Sequence, residues 1–152
     1  MQLLKIYYAY FSPGNTTEKV VSHIASSFQN YPVESINLTD YATRQEDYYF
    51  KENELLIIGV PAYGGRVPAP VVDALRHFTG SNTPVVLVAT YGNRDIDDTF
   101  IELKKNVIDK GFIPVGAASF VCQHTFLKEC AEGRPDEEDL KMAGEFGDKL
   151  KE

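Results

Sequence analysis

The 152-residue sequence contains only two cysteines, Cys122 and Cys130, with seven residues between them and no C-x-x-C anywhere. That spacing argues against a zinc site, a thioredoxin-like redox pair and a cysteine-bound iron–sulfur cluster, and leaves both thiols as packing residues. Positive charge is also scarce: 15 Lys and Arg against 22 Asp and Glu give a formal net charge of −7. Such a balance argues against nucleic acid as a partner and favours salt-dependent encounter with basic protein patches. Long apolar runs are missing. The longest, Leu55 to Val60, is about a third of the roughly 20 residues that a membrane helix needs. The first residues lack the basic start, apolar stretch and small-residue cleavage site of a signal peptide. The expectation is therefore a cytoplasmic protein without membrane contact. No repeat, low-complexity stretch or linker divides the chain. Its length and its 43% hydrophobic and 24% charged residues suit one globular domain over residues 1–152.

Strand-like and helix-like segments alternate from end to end. Leu3 to Phe11 is rich in β-formers, and Val20, Val21, Ile24, Ala25 and Phe28 then recur at helical spacing. Val33 to Leu38 is a short second strand, and Leu55 to Val60 reads as a strand buried on both faces. Pro70 starts the next helix, with Val71, Ala74, Leu75 and Phe78 at i, i+3, i+4 and i+7. Val85 to Tyr91 is a fourth strand. Phe100, Leu103 and Val107 mark a helix, with Asp97 and Asp98 at its start and a stop at Lys110-Gly111. Ile113 to Val121 is the fifth strand. The last helix opens at Pro135 with Asp136, Glu137 and Glu138 in its first turn, and its inner face is Leu140, Ala143, Phe146 and Leu150. Thr39 to Asn53 is polar and tyrosine-rich without a firm period. The alternation implies an α/β fold, a doubly wound five-stranded parallel sheet in the order 2-1-3-4-5 with helices on both faces.

In such a fold ligands bind at the carboxyl ends of the strands, where strand order reverses. Strands one, three and four would be neighbours, and the three loops that leave them have unusual compositions. The first, Ser12-Pro13-Gly14-Asn15-Thr16-Thr17, packs three hydroxyls, a glycine and an asparagine together without a cation. It suits a phosphate held by hydroxyls, backbone N–H groups and a helix N-terminus, or a simple helix cap. The second, Pro61-Ala62-Tyr63-Gly64-Gly65-Arg66-Val67-Pro68, and the third, Thr90-Tyr91-Gly92-Asn93-Arg94-Asp95, each set a tyrosine beside glycine. A flat ring could lie on Tyr63 or Tyr91 while backbone groups reach its polar edge. The three loops together favour a phosphate-bearing ligand with an aromatic ring.

These loops resemble those of flavodoxin-like FMN-binding proteins. The run from Thr90 to Arg94 and on through Lys110-Gly111-Phe112 is especially similar to the flavodoxin half of flavodoxin–ferredoxin fusion proteins. So are Tyr63-Gly64-Gly65-Arg66-Val67-Pro68 and Gly133-Arg134-Pro135-Asp136. The resemblance implies FMN at the edge of strands one and three, held by Ser12, Gly14, Asn15, Thr16, Thr17, Pro61, Ala62, Tyr63, Gly64, Gly65, Thr90, Tyr91, Gly92, Asn93 and Arg94. It also implies one-electron transfer between redox protein partners, a reductase or ferredoxin-type donor and an unknown acceptor. The ferredoxin cysteines are absent, so the expectation is the flavodoxin module standing alone. One departure stands out. The family's phosphate loop reads Ser/Thr-x-Thr-Gly-x-Thr, and here Gly14-Asn15 replaces Thr-Gly. Asn15 must then adopt the glycine's backbone conformation, which asparagine tolerates better than most residues.

On this reading the Tyr63-Gly64-Gly65 segment could turn a backbone carbonyl toward the flavin N5, a change that glycine makes easy. Arg66 and Arg94 would favour the reduced anion if either reached the ring. The alternative on the same scaffold is an FMN-dependent NAD(P)H oxidoreductase that reduces a quinone or similar acceptor. No recognisable nicotinamide site accompanies it. A phospho-receiver needs acidic residues where the chain has Phe11-Ser12 and an aspartate where it has Pro61-Ala62. His124, just after strand five, faces either the flavin, a partner or its own loop. His23 and His77 are placed on helices.

Overall fold

The computed structural model describes residues 3–63, 66–91, 98–121 and 134–151. In chain order the elements are β1 (Lys5–Tyr10), α1 (Thr16–Ala25), β2 (Val33–Asn37), α2 (Tyr41–Arg44), β3 (Tyr48–Tyr49) and β4 (Glu54–Pro61). There follow α3 (Ala69–Leu75), β5 (Phe78–Thr79), β6 (Thr83–Tyr91), α4 (Thr99–Asp109), β7 (Phe112–Val121) and α5 (Glu137–Leu150). Five strands form one parallel sheet in the order β2-β1-β4-β6-β7. Counted among themselves these five are 2-1-3-4-5, the expected doubly wound order.

The period of two along the buried strands divides the core between the two faces of the sheet. Leu56 and Ile58 of β4 join Val85 and Leu87 of β6, where Val71, Ala74 and Leu75 of α3 and Leu103 and Val107 of α4 cover them. Leu55 and Ile57 join Val86 and Val88 on the opposite face, under Val20, Val21, Ile24 and Ala25 of α1 and Ala143 of α5. Gly59 sits where α1 crosses β4. A Cβ there would come within 2.1 Å of Val21 Cγ2 and 3.1 Å of Thr17 Cγ2, so only glycine lets the helix approach this closely. Gly111 follows the α4 cap residue Lys110 at φ +94, the left-handed stop expected after a helix.

Two expectations change. Phe78 is buried as predicted, but α3 ends at Leu75 and Phe78 belongs to β5. His77 likewise lies beyond the helix, paired with Asp47 at 2.8 Å. The reason is the segment that had no firm period. Residues 39–53 hold α2, capped by the Asp40 carboxylate that accepts the Thr43 N–H at 3.0 Å. They also hold β3, which pairs in parallel with β5 as a second, two-stranded sheet. Aromatic packing fixes that pair. Phe78 lies 5.2 Å from Tyr48 and 5.4 Å from Phe50, and Phe50 lies 5.4 Å from Phe112. The period of 3.6 that placed Phe78 on a helix gives way to this tertiary contact. α3 begins at Ala69, with Pro70 inside its first turn where a missing N–H costs nothing.

Candidate functional site

β1, β4 and β6 are adjacent and parallel, so the loops after Tyr10, Pro61 and Tyr91 open at one edge. The first loop is held by its own chain. Phe11 N–H donates to Gly59 O at 3.2 Å, and Ser12 N–H donates to Thr39 Oγ1 at 2.7 Å. Thr39 is set in turn by its N–H to Asn37 Oδ1 at 3.0 Å, while Arg44 donates to the Leu38 and Thr39 carbonyls at 3.0 and 3.2 Å. Asn15 is the N-cap of α1 at φ 66 and ψ 1, the left-handed conformation required of it. Its side chain makes no cap bond. The cap is supplied from three residues earlier, because the buried Ser12 Oγ accepts the Glu18 N–H at 3.0 Å.

That arrangement leaves the first turn of α1 open. Among the described residues, no acceptor meets the N–H groups of Thr16 and Thr17. Pro13, Gly14 and Asn15 are exposed and Thr16 is half-buried. The three hydroxyls take different positions. Ser12 caps the helix and keeps its own proton to donate. Thr17 is buried with its Oγ1 2.8 Å from Thr90 Oγ1, which ties α1 to the end of β6. Glu18 neighbours the Tyr10 hydroxyl, whose pKa is pushed up to about 12 by burial and then by that carboxylate.

The second loop begins with Ala62 N–H donating to Thr90 O at 2.8 Å. Tyr63 and Arg66 then exchange backbone hydrogen bonds at 3.0 Å in both directions, an isolated antiparallel bridge. The half-buried Tyr63 ring packs edge-on to Phe11, 6.4 Å between centroids, so the second loop touches the root of the first. Arg66 does not stand free toward the ligand edge. Its guanidinium lies on Glu102 of α4, and Val67 N–H donates to the same carboxylate at 2.9 Å. The Arg66 guanidinium and then the Val67 N–H hold the Glu102 pKa below the usual carboxylate range. Of the third loop, Thr90 is buried and Tyr91 half-buried at the sheet edge. Gly64, Gly65, Gly92, Asn93, Arg94, Asp97, Cys122, His124, Cys130 and Gly133 lie outside the described residues.

Near the same end, α5 starts at a capping box. Asp136 Oδ1 accepts the Asp139 N–H, and Asp139 Oδ2 accepts the Asp136 N–H, both at 3.0 Å. The buried Asp139 also receives Arg134 through Nε and, at 2.6 Å, through Nη2. The arginine, more than any other group, lowers its pKa. Thr39, Arg44 and Glu102 carry weight here that the sequence reading did not assign them. Glu102 had one visible signal, an acidic residue in a helix's first turn, which the dipole alone explains. Among the described residues no group of three or more His, Cys, Asp or Glu is placed to hold a metal ion. None of the described helices is long and apolar enough to cross a membrane.

The edge therefore offers an anion two unengaged N–H groups at a helix start, beside the Ser12 hydroxyl. It offers a planar group the Tyr63 loop a short way along the same edge. No protein-family model matches the chain, and no curated protein does. Solved structures do resemble it. A flavodoxin from the domain Archaea superposes with a TM-score of 0.66 at 14% identity, covering 97% of this chain and 96% of that one. The two-electron reduced flavodoxin of Megasphaera elsdenii gives 0.59 at 19% identity, covering 95% and 98%. Rubredoxin oxygen:oxidoreductase of Desulfovibrio gigas gives 0.66 at 14% identity over 96% of this chain and 35% of that one. At such identities the likeness is one of architecture, and the chain has the flavodoxin fold.

Proposed function

We propose that this chain binds FMN without a covalent link at the shared edge of β1, β4 and β6, and carries single electrons between redox proteins. The observation that supports this most is the left-handed N-cap at Asn15, which leaves the Thr16 and Thr17 N–H groups open at the edge that β1, β4 and β6 share. The donor set fits a phosphate monoester: two backbone N–H groups, a hydroxyl and the positive end of a ten-residue helix, with no cation needed. The fold's likeness to flavodoxins adds weight.

When bound, FMN supplies the one- and two-electron chemistry, and the protein supplies position and electrostatics. Thr16, Thr17 and Ser12 would hold the phosphate. Tyr63 and the backbone of Pro61 and Ala62 would border the ring, with Gly64 and Gly65, while Thr90, Tyr91, Gly92, Asn93 and Arg94 would close the other side. The Thr17–Thr90 hydrogen bond fixes the spacing between the phosphate end and that side. The net charge of −7 disfavours further negative charge on the ring and steers basic partners to the surface. Arg66 adds little to offset it, because Glu102 already neutralises its guanidinium. A tenfold preference for one redox state over the next moves a one-electron potential by about 59 mV.

Titration of the purified protein with FMN, followed by fluorescence quenching and the visible spectrum, tests the reading. Saturable quenching at micromolar FMN, with weaker binding of riboflavin, is expected. No binding at that concentration would overturn it. Steady NAD(P)H oxidation by the loaded protein and an added quinone, without a separate reductase, would replace the carrier with the FMN-dependent NAD(P)H oxidoreductase.

A further inference from the structure

The base of the second loop is braced by a side chain 36 residues away in sequence. Glu102, in the first turn of α4, uses both carboxylate oxygens on it. Arg66 Nε donates to Oε1 at 3.1 Å and Nη2 donates to Oε2 at 2.9 Å. The Val67 N–H donates to the same Oε1 at 2.9 Å. The fork fixes the guanidinium plane, and the backbone bond fixes the main chain one residue later. Arg66 is itself bridged to Tyr63 in both directions, and the Tyr63 ring rests on Phe11. A continuous path thus runs from α4 through Glu102, Arg66 and Tyr63 to the root of the first loop.

Exposure shows where this brace acts. The Arg66 side chain is 65% exposed and that of Glu102 only 23%. An exposed ion pair alone contributes little to stability. Here the arginine has a second effect: its fork holds in place a carboxylate whose other task is to accept a main-chain N–H. Val67 beyond it is buried, so the loop is anchored on one side by packing and on the other by this carboxylate. The first loop has its own support in the Ser12–Thr39 hydrogen bond, and among the described residues the Glu102 carboxylate bonds Arg66 and Val67 and not that loop.

We propose that Glu102 is a positioning residue that sets the Tyr63–Arg66 bridge and, through it, the fit of the ring side of the flavin site. The proposal rests on the FMN reading above. Because the brace acts at the ring side, its loss weakens riboflavin and FMN by the same factor. A fault in the phosphate loop would weaken FMN alone. Removing the carboxylate also unpairs the Arg66 charge beside Tyr63 and makes the protein one charge less negative, which would favour the reduced anion and raise the midpoint potential.

The test compares Glu102→Ala with Glu102→Gln in the 152-residue chain. The amide of Gln keeps an acceptor for Val67 while losing the charge. Glu102→Ala is expected to weaken both flavins by roughly tenfold, with a smaller loss in Glu102→Gln, since hydrogen bonds to charged groups are about twice as strong as neutral ones. Both variants should raise the midpoint potential, and amide exchange at Val67 in the flavin-free protein should quicken in Glu102→Ala. Loss of FMN binding with riboflavin unchanged would overturn the proposal, as would unchanged affinities and unchanged exchange at Val67. If Glu102→Ala does not fold, the same readings on Glu102→Gln decide. Wild-type protein that binds neither flavin would remove the FMN reading and this proposal's ligand with it, and Val67 exchange would then judge the brace by itself.

Discussion

Asn15 holds the first loop in the left-handed region at φ 66, where the Cβ of an L-residue crowds the following carbonyl oxygen. That conformation costs most L-residues about 1–2 kcal/mol, and β-branched residues most of all. Asn15→Val should therefore destabilise the fold by about 1–2 kcal/mol and weaken FMN more than riboflavin, because the loop it distorts is the phosphate side. Asn15→Gly should leave stability within about a few tenths of a kcal/mol and keep FMN affinity. Urea unfolding and flavin titration of the two variants check this, and equal behaviour of Val and Gly would remove the argument. The conformation of Asn15 was legible in the sequence, because a local motif demands it. Thr39 and Glu102 were not. Their partners, Ser12 and Val67, lie 27 and 35 residues away, and only strand order and helix placement bring them together.

At the scale of elements, the position of α1 depends on Gly59. A methyl group there would sit 2.1 Å from Val21 Cγ2, and Thr17 on the same helix bonds Thr90 across the sheet edge. Gly59→Ala must lift α1 from β4 and disturb that bond. The expected cost is about 1–3 kcal/mol, typical of overpacking in a filled core, together with weaker FMN binding. Gly144 in α5 is the counterpart, since a Cβ there meets nothing within 4 Å. Gly144→Ala should stabilise by about 0.5–1 kcal/mol, the usual gain for a helix interior. Opposite shifts in urea midpoint are the signature, and a stable Gly59→Ala would sink the packing argument. The long elements were readable because β4 and β6 are built on the apolar runs at residues 55–60 and 85–89 and α1 has a clean period. β3 and β5 were not, since two residues carry no period. Phe78 fits a helical spacing and a buried strand equally well until Tyr48 and Phe50 are brought beside it.

Across the whole molecule, charged and phenolic groups bound the pH range in which the fold is stable. The carboxylates of Glu102 and Asp139 are held below their ordinary range, chiefly by Arg66 and Arg134, and Asp40 by the Thr43 hydroxyl. A lowered carboxylate contributes stability that is present above its unfolded value of about 4. That contribution is lost as pH falls through the lower native value. Tyr10 and Tyr48 behave in the opposite sense. Burial, then Glu18 for the first and Glu46 for the second, pushes each to about 12. Their contribution is complete below the unfolded phenol value of about 10 and disappears as pH climbs toward 12. The urea midpoint should therefore be nearly flat from about pH 6 to 9 and fall on both sides. The two limbs have separate causes and respond to separate substitutions. Tyr10→Phe with Tyr48→Phe removes both phenols and should flatten the alkaline limb while leaving the acid limb in place. Arg134→Met should instead weaken the acid-side contribution of Asp139, reducing stability at neutral pH more than at pH 3. An alkaline limb unchanged in the double phenylalanine variant would show that these two tyrosines do not set it.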